Sequence, residues 1–560
     1  MLDELKQQPQ IPGCDHPPPR KEIKDAILKL KNKAPGESGL TPQMWKALRT
    51  NDITFEIVET IILDFWDTEL SPEEWETGIL KILPKKGDLS KPGNYRGIML
   101  LEAAYKIIAV LLHERLQPIE EGLDHEPQCG FRPERGCADA TFTVKLAMKK
   151  RREHGLETWI LFLDLVKAFD RVPRELLWEV LSKFGVPKKL ICLLRAVHQR
   201  VNVTFEVDEI SHTILSILGV KQGDILGPIL FVMFIAAIMM TWRAKYDRPT
   251  CIFRTKEDFI MTGCRVTTTG IDFLLGDSEY ADDTAVLFNT RQELEMYTPL
   301  LLQHFERFGM EVHTGHADEP DKPSKTEVLF VAAPASRYVN PDTYDDTDLT
   351  DLVLSNGRFI PIVDKLIYLG TTLTRNCRDD EDVKARIKKA GNAFGALRKC
   401  LFSNPSISLD AKRIIYEGLI LSILLYGSEC WCLTEKLFNL LRVFHARCVR
   451  AMCRVNRWHT RKHRIRTLDL LKRTGLNTID VYVSRRQLRW AGHVARMDFD
   501  RLPRKMLSAW VTEKRPTGAP EFTYGRGLSK ALRKADIETK NWHVTAQDRN
   551  IWRETIAKVL

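Results

Sequence analysis

The chain has 560 residues, 44 % hydrophobic and 28 % charged, the composition of an ordinary folded protein with room for about three to four domains. Its twelve cysteines are too dilute for a disulfide scaffold and none falls in a Cys-x-x-Cys or knuckle spacing, which excludes a small disulfide-bonded or zinc-stapled class. The net charge of +10 is unevenly spread: residues 442–515 carry 20 Lys and Arg against 5 Asp and Glu, a local +15 that leaves −5 for the rest and points to a polyanionic partner.

In chain order, the residues up to Pro17-Pro18-Pro19 read as a flexible lead-in. No charged segment followed by an apolar one marks a secretory signal, so an intracellular protein is expected. Ile23, Ala26, Ile27 and Leu30 fall at helical spacing, and the helix runs out in Lys33-Ala34-Pro35-Gly36-Glu37-Ser38-Gly39-Leu40. Residues 79–88 and 94–100 read as strand, turn and strand bearing Lys85, Lys86 and Arg96. A helix over 101–116 leads to the loop Gln128-Cys129-Gly130-Phe131-Arg132-Pro133-Glu134-Arg135-Gly136-Cys137, and a helix over 138–152 follows. Residues 159–166 form an apolar run typical of a buried central strand, yet Asp164 lies inside it. A lone carboxylate there costs several kcal/mol unless it is paired or bound to metal.

Helices are expected over 173–184 and 188–199, then a strand pair around 201–205 and the loop 219–228, which holds Gln222 and Gly223. Residues 225–240 are the most apolar stretch, but they contain Gly227 and Pro228 and fall short of the roughly 20 residues needed to span a bilayer. They read as a buried helix, with no membrane partner. Residues 241–279 are a polar insertion. Phe273-Leu274-Leu275 and Ala285-Val286-Leu287-Phe288 read as the two strands of a hairpin, with Glu279-Tyr280-Ala281-Asp282-Asp283 at its turn. Beyond lie an amphipathic helix over 293–308, an acidic loop over 316–325, the tetrad Ser324-Lys325-Thr326-Glu327, the strand and turn Ile367-Tyr368-Leu369-Gly370, helices over 383–401 and 410–431, and Trp490-Ala491-Gly492-His493-Val494-Ala495-Arg496-Met497. Cys430, Cys432, His445 and Cys448 cluster in sequence and read as core, as does His493. From Gly518 onward only a modest helical tail is expected.

Adjacent carboxylates repel and raise each other's pKa unless positive charge lies between them. Asp282 and Asp283 with Asp164, on two neighbouring strands, can hold two divalent ions about 3.5–4 Å apart, the spacing that serves an in-line phosphoryl displacement. Mg²⁺ is the expected ion, with Mn²⁺ as its substitute.

Phe162-Leu163-Asp164-Leu165-Val166-Lys167-Ala168-Phe169-Asp170 together with Tyr280-Ala281-Asp282-Asp283 resembles the palm of reverse transcriptases from non-LTR (LINE-type) retrotransposons. The likeness continues through the loop 33–40, the 79–100 hairpin, the 128–137 loop, Gly219-Val220-Lys221-Gln222-Gly223-Asp224-Ile225-Leu226-Gly227-Pro228, Ser324-Lys325-Thr326-Glu327 and the Trp490–Met497 octad. Two departures stand out: Ser38 replaces the usual Asp, and Gly227 the usual Ser or Ala. The resemblance implies an α+β right-hand polymerase: an N-terminal extension (1–55), fingers (56–150), palm with fingers segments (151–375), thumb (376–455) and a basic helical C-terminal region (456–560). The upstream endonuclease that such elements often carry is expected to be missing.

The implied reaction is RNA-directed DNA synthesis from a DNA primer on an RNA template with deoxynucleoside triphosphates, in the nucleus and cytoplasm; the oligomeric state is left open. Asp164 and Asp282 would bridge the metals with Asp283 in support. Lys325 would protonate pyrophosphate or fix its turn, and Lys85, Lys86 and Arg96 would meet the triphosphate. Gln222 and Gly223 would approach the nascent pair, Arg132 and Arg135 would meet template phosphates or belong to a purely structural loop, and Phe169 would lie beneath the incoming sugar or serve as a core aromatic. The alternative is a decayed or domesticated relative that binds RNA without catalysis, against which the three intact acids argue.

Overall fold

The computed structural model describes residues 2–559 apart from 33, 85–87, 92–94, 208–209, 249, 258–268, 320–322, 333–348 and 516–522. Strands β1 (Thr77–Pro84) and β2 (Tyr95–Leu100) form an antiparallel hairpin. β3 (Thr158–Leu163) follows, buried along its whole length, and then the hairpin β4 (Val201–Val207) and β5 (Ile210–Ser216). β4 runs parallel to β1, so one four-stranded sheet has the order β2-β1-β4-β5.

A separate pair is made by β6 (Cys251–Thr255) and β7 (Ile271–Leu275), and β8 (Asp277–Tyr280) turns into β9 (Asp283–Phe288). β10 (Gly315–His316), β12 (Leu352–Val353) and β13 (Arg358–Ile360) make a small sheet, while β11 (Glu327–Val331) and β14 (Ile362–Val363) join the central one. That sheet has the order β14-β11-β3-β9-β8. β15 (Lys365–Tyr368) and β16 (Thr371–Thr374) close a hairpin through Leu369 and Gly370, both at positive φ (46° and 79°), as a two-residue turn of the primed type requires.

β3 explains the arrangement. Its Trp159, Leu161 and Leu163 enter one core and its Ile160 and Phe162 another. Because successive strand residues point to opposite faces and both faces are covered, the strand is apolar without alternation. The first core takes helices Ala103–Glu121 and Leu226–Lys245. The latter is long and apolar enough to cross a membrane, but 83 % of its most apolar window is buried inside the protein. The N-terminal lead-in also belongs to this core: Leu2 and Leu5 are buried, and the Gln8 amide donates to the Lys183 carbonyl (2.9 Å). Scattered apolar residues among prolines give no periodic signal, so this packing was not visible in the sequence.

The second core is the larger departure from the sequence reading. It joins the opposite face of the central sheet to helices Ile479–Ala495, Leu502–Ser508, Tyr524–Lys534 and Arg549–Ala557. The C-terminal residues are therefore the cover of a sheet face rather than a tail. Trp542 and Trp552 are buried there, and the Trp552 indole donates to the Leu488 carbonyl (3.0 Å). A Cβ on Gly492 would lie 2.0 Å from Trp552 Nε1, which accounts for the glycine in the Trp490–Met497 octad. His493, in the same octad, is half-buried against Trp490.

A third core binds helices Asp380–Leu397, Glu435–Met452 and Thr467–Thr474. Cys448 is buried in it, and His445 sits between the Tyr416 hydroxyl (2.9 Å) and the Asn477 carbonyl (3.0 Å); Cys430 and Cys432 are buried in the second core, so the sequence cluster is split between two cores and is structural.

Truncating a fully packed tryptophan removes its packing partners and leaves a cavity. Trp552→Ala is expected to lower unfolding stability by about 3–5 kcal/mol in a denaturant titration. A change below about 1 kcal/mol would mean that the last helices do not share the cooperative unit.

Candidate active site

Asp164 stands one residue beyond β3, and Asp282 and Asp283 at the β8–β9 tip. In the β3–β9 register Leu163 opposes Thr284, so the next step outward places Asp164 beside Asp283. Polar contacts fix the Asp164 backbone: its N–H donates to Thr326 Oγ1 (3.1 Å), and its carbonyl accepts from the His313 N–H (2.8 Å). Thr326 is fully buried. Its neighbour Lys325 brings Nζ to 3.7 Å from Asp164 Oδ2. Both side chains are well exposed, so this pair adds little stability.

The hairpin's first strand is not the expected one. Ile271–Leu275 pairs with β6, and the partner of β9 is Asp277–Tyr280. β8 is polar yet buried: Arg243 bonds Asp277 (3.1 Å) and Glu279 (3.0 Å), and His125 Nε2 lies 2.9 Å from Glu279. Burial tends to raise the Asp277 pKa, but Arg243 and Arg248 outweigh it and hold the carboxyl below its ordinary value. Paired charges take the place of apolar side chains here, which is why hydropathy pointed to the neighbouring run.

At the tip Ala281 is buried with φ 57°, a left-handed conformation that costs a non-glycine residue about 1–2 kcal/mol. Asp282 and Asp283 carry the electrostatic signature of crowded like charges. Burial first and then Asp164 raise the Asp282 pKa, with the Arg96 guanidinium opposing. Asp283, open to solvent on one side, is pushed up to about 6 by partial burial in the cleft and then by Asp282 and Asp164.

The structure thus gathers Asp164, Asp282, Asp283, Lys325 and Arg96 about one cleft. Lys85 and Lys86 lie outside the described residues. The Gln222 carbonyl accepts from the Met99 N–H of β2 (2.9 Å). Gly223 has φ 103°, and a Cβ there would lie 3.0 Å from the Met99 carbonyl oxygen, so its close approach is to β2. Buried Lys221 anchors that loop by donating to the Val197 carbonyl (2.8 Å), with its ammonium 4.3 Å from the Tyr105 ring centroid. Burial draws the Lys221 pKa down to about 8, against the pull of Asp224.

Phe169 is half-buried, stacked on Phe231 (4.3 Å, 16°), with exposed Phe131 edge-on at 6.4 Å. Arg132 and Arg135 do not serve as free cations. Arg132 is buried against Glu120 (2.6 Å) and the His125 carbonyl, and Arg135 pairs with Glu126; both brace their own loop.

Among the described residues, no group of three His, Cys, Asp or Glu side chains closes into a ready-made metal cage. The cleft offers carboxylates with excess negative charge, the donor set that suits a hard cation taking its remaining ligands from water and phosphate.

Residues 83–316 match the family model described as "Reverse transcriptase (RNA-dependent DNA polymerase)". The chain is 24 % identical over 526 residues to "Probable RNA-directed DNA polymerase from transposon BS" of Drosophila melanogaster, covering 91 % of this chain and 52 % of that protein. It is 26 % identical over 442 residues to "RNA-directed DNA polymerase from mobile element jockey" of the same organism (77 % and 43 %). It is 30 % identical over 214 residues to "Retrovirus-related Pol polyprotein from type-1 retrotransposable element R2" of Popillia japonica (38 % and 29 %). The chain thus spans about half the length, or less, of these relatives.

The Asp283 shift sets a pH dependence. An unfolded Asp titrates near about 4, whereas the folded group keeps its proton to about 6. Deprotonation through that window therefore costs the folded state stability, and above it the whole cost is present. Without divalent cation, Asp283→Asn is expected to raise the melting temperature at pH 7.5 and leave it unchanged near pH 4. Equal effects at both would show that charge is not the cause.

Asp164, Asp282 and Asp283 all fall within the matched segment 83–316, so the chain carries a reverse transcriptase domain, and over most of its length it is similar to RNA-directed DNA polymerases of transposons and mobile elements.

Proposed function

We propose that this protein is an RNA-directed DNA polymerase that extends a DNA primer on an RNA template with deoxynucleoside triphosphates. The observation that carries the reading is the convergence of Asp164, Asp282 and Asp283, where burial and then the neighbouring carboxylates raise the Asp282 and Asp283 pKa values and a divalent cation would offset the charge. In this reading β1, β2, β4 and β5 belong to the fingers, the central sheet is the palm, and residues 376–455 are the thumb. Asp164 and Asp282, with Asp283 in support, would hold two Mg²⁺ ions, which would supply charge stabilisation for phosphoryl transfer.

The remaining work falls to the protein's own groups. Arg96, whose charge acts on Asp282, is suited to a triphosphate oxygen. Lys325, held beside Asp164, can orient the departing pyrophosphate or give it a proton. Phe169 rests its face on Phe231, a firm floor on which its edge can exclude a 2′-hydroxyl. The test is dTTP incorporation on poly(rA)/oligo(dT) with Mg²⁺. Failure by folded protein would leave RNA binding without catalysis.

The nucleic-acid partner is supported by the basic stretch from Arg447 to Arg464, which runs from the end of Glu435–Met452 through Arg457–Lys462. Among the described residues none of Arg447, Arg450, Arg454, Arg457, Arg461 and Arg464 has an acidic group within 4.0 Å. Trp458 is 64 % exposed beneath the Lys462 ammonium (4.7 Å). Unpaired cations around an exposed ring suit phosphates and a stacked base.

Two outcomes are expected. Replacing Arg457, Arg461 and Arg464 by Gln should flatten the fall of log affinity with log salt by roughly 0.7–0.9 for each phosphate that is no longer neutralised. Substitution is the right probe because the later helices complete the second core. An unchanged slope would make these arginines an ordinary solvated face. Phe169→Val should admit ribonucleotides about ten- to a hundredfold better with deoxynucleotide use nearly unchanged. Unaltered discrimination by folded protein would reduce Phe169 to a core aromatic.

A further inference from the structure

The loop Gln128-Cys129-Gly130 lies along the free edge of β8, on the side away from β9. The Glu279 N–H donates to the Pro127 carbonyl (2.9 Å), and the Cys129 N–H to the Glu279 carbonyl (2.8 Å), a parallel bridge between Gln128 and Glu279. The Gln128 side chain is wholly buried. Its Oε1 accepts from the N–H of Ala281 (2.8 Å) and of Gly130 (2.8 Å), and its Nε2 donates to the Ala281 carbonyl (3.3 Å) and Glu279 Oε2 (3.4 Å). One amide therefore satisfies both backbone groups of the residue that holds the left-handed turn. Gly130 packs against the same turn, where a Cβ would lie 2.3 Å from the Ala281 nitrogen. Glu279 cannot drift, because its carboxylate is fully buried between His125 and Arg243.

We propose that Gln128 is a positioning residue for the catalytic turn: by clamping Ala281 from the edge of the sheet, it fixes the direction in which Asp282, the next residue, presents its carboxylate. A turn this tight has no other side chain bonded to the Ala281 backbone among the described residues. Loss of the clamp frees Ala281 to relax from positive φ, and Asp282 turns with it. The inference rests on the polymerase reading for its consequence in catalysis, and on geometry alone for the clamp.

The experiment uses the full chain with Gln128→Met, which keeps length and loses all four hydrogen bonds, and Gly130→Ala, whose added methyl presses directly on Ala281. In both, kcat for dTTP on poly(rA)/oligo(dT) should fall about ten- to a hundredfold. KM for dTTP and primer-template affinity should stay within about threefold, and half-saturating Mg²⁺ should rise. Amide exchange of a peptide covering residues 279–283 should quicken by about tenfold or more in Gln128→Met.

A folded Gln128→Met protein with parental kcat, Mg²⁺ dependence and exchange would overturn the proposal. So would a fall in kcat that tracks lowered melting temperature with Mg²⁺ dependence unchanged, since that marks a merely structural residue. Failure of both variants to fold, while Asp282→Asn folds normally, would likewise assign Gln128 to folding alone. If the parent itself incorporates nothing, the polymerase reading fails. The clamp is then judged by exchange alone, and parental exchange in Gln128→Met refutes it.

Discussion

Like-charge repulsion among Asp164, Asp282 and Asp283 is the constraint on which the rest of the structure depends. Left to itself the chain would separate these groups, and the pKa values of Asp282 and Asp283, raised first by burial and then by the neighbouring carboxylates, record the cost of holding them in place. The scaffold that prevents it is the central sheet. β3 is buried on both faces and hydrogen-bonded on both edges, so the end of the strand that carries Asp164 cannot move without disrupting two cores. On the other side, β9 is tied to β3 over five register pairs, and the turn at its start is held in a conformation that alanine does not favour. Stability spent in keeping a site strained is characteristic of catalytic centres, and the two cores above and below the sheet are what make it tolerable.

Much of this was legible in the sequence for simple reasons. The run 159–163 is apolar because both faces are covered, the tip carries its acids where a hairpin must turn, and Gly370 stands where a turn needs positive φ. The helix over 225–240 declared itself by unbroken apolarity. What escaped the sequence reading is equally physical. β8 hides because its buried residues are Asp277, Ser278 and Glu279, satisfied by Arg243, Arg248 and His125 rather than by apolar neighbours. No local pattern reports that distant partners will neutralise a charge. For the same reason the sequence left Arg132 and Arg135 open between template phosphates and a structural loop, and Glu120 and Glu126 beside them favour the loop.

The C-terminal region shows a different limit. Its helices are short and rich in arginine, so their charge dominates any windowed reading. The few large residues that decide their placement, Trp542, Trp552 and Leu488, are spread over more than sixty positions, and only the fold brings them onto the sheet's second face. Gly492 was a usable signal: a glycine inside a helix that costs about 1 kcal/mol relative to alanine asks for a close neighbour, and Trp552 is that neighbour. Basic residues in the same region divide accordingly. Arg501 is tied to Glu126 and Asp139, whereas among the described residues Arg457, Arg461 and Arg464 have no acidic group within 4.0 Å.

On the proposed reading the three carboxylates serve phosphoryl transfer and contribute nothing to the fold that a neutral group could not. Extension of an oligo(dT) primer on poly(rA) by the parent and by Asp282→Asn, run beside primer-template affinity and thermal melting, tests it most directly. The expected result is a variant that binds within about threefold of the parent, melts no lower, and extends about 10²–10³-fold more slowly or less. A folded Asp282→Asn protein that extends primers within about tenfold of the parent would contradict the account.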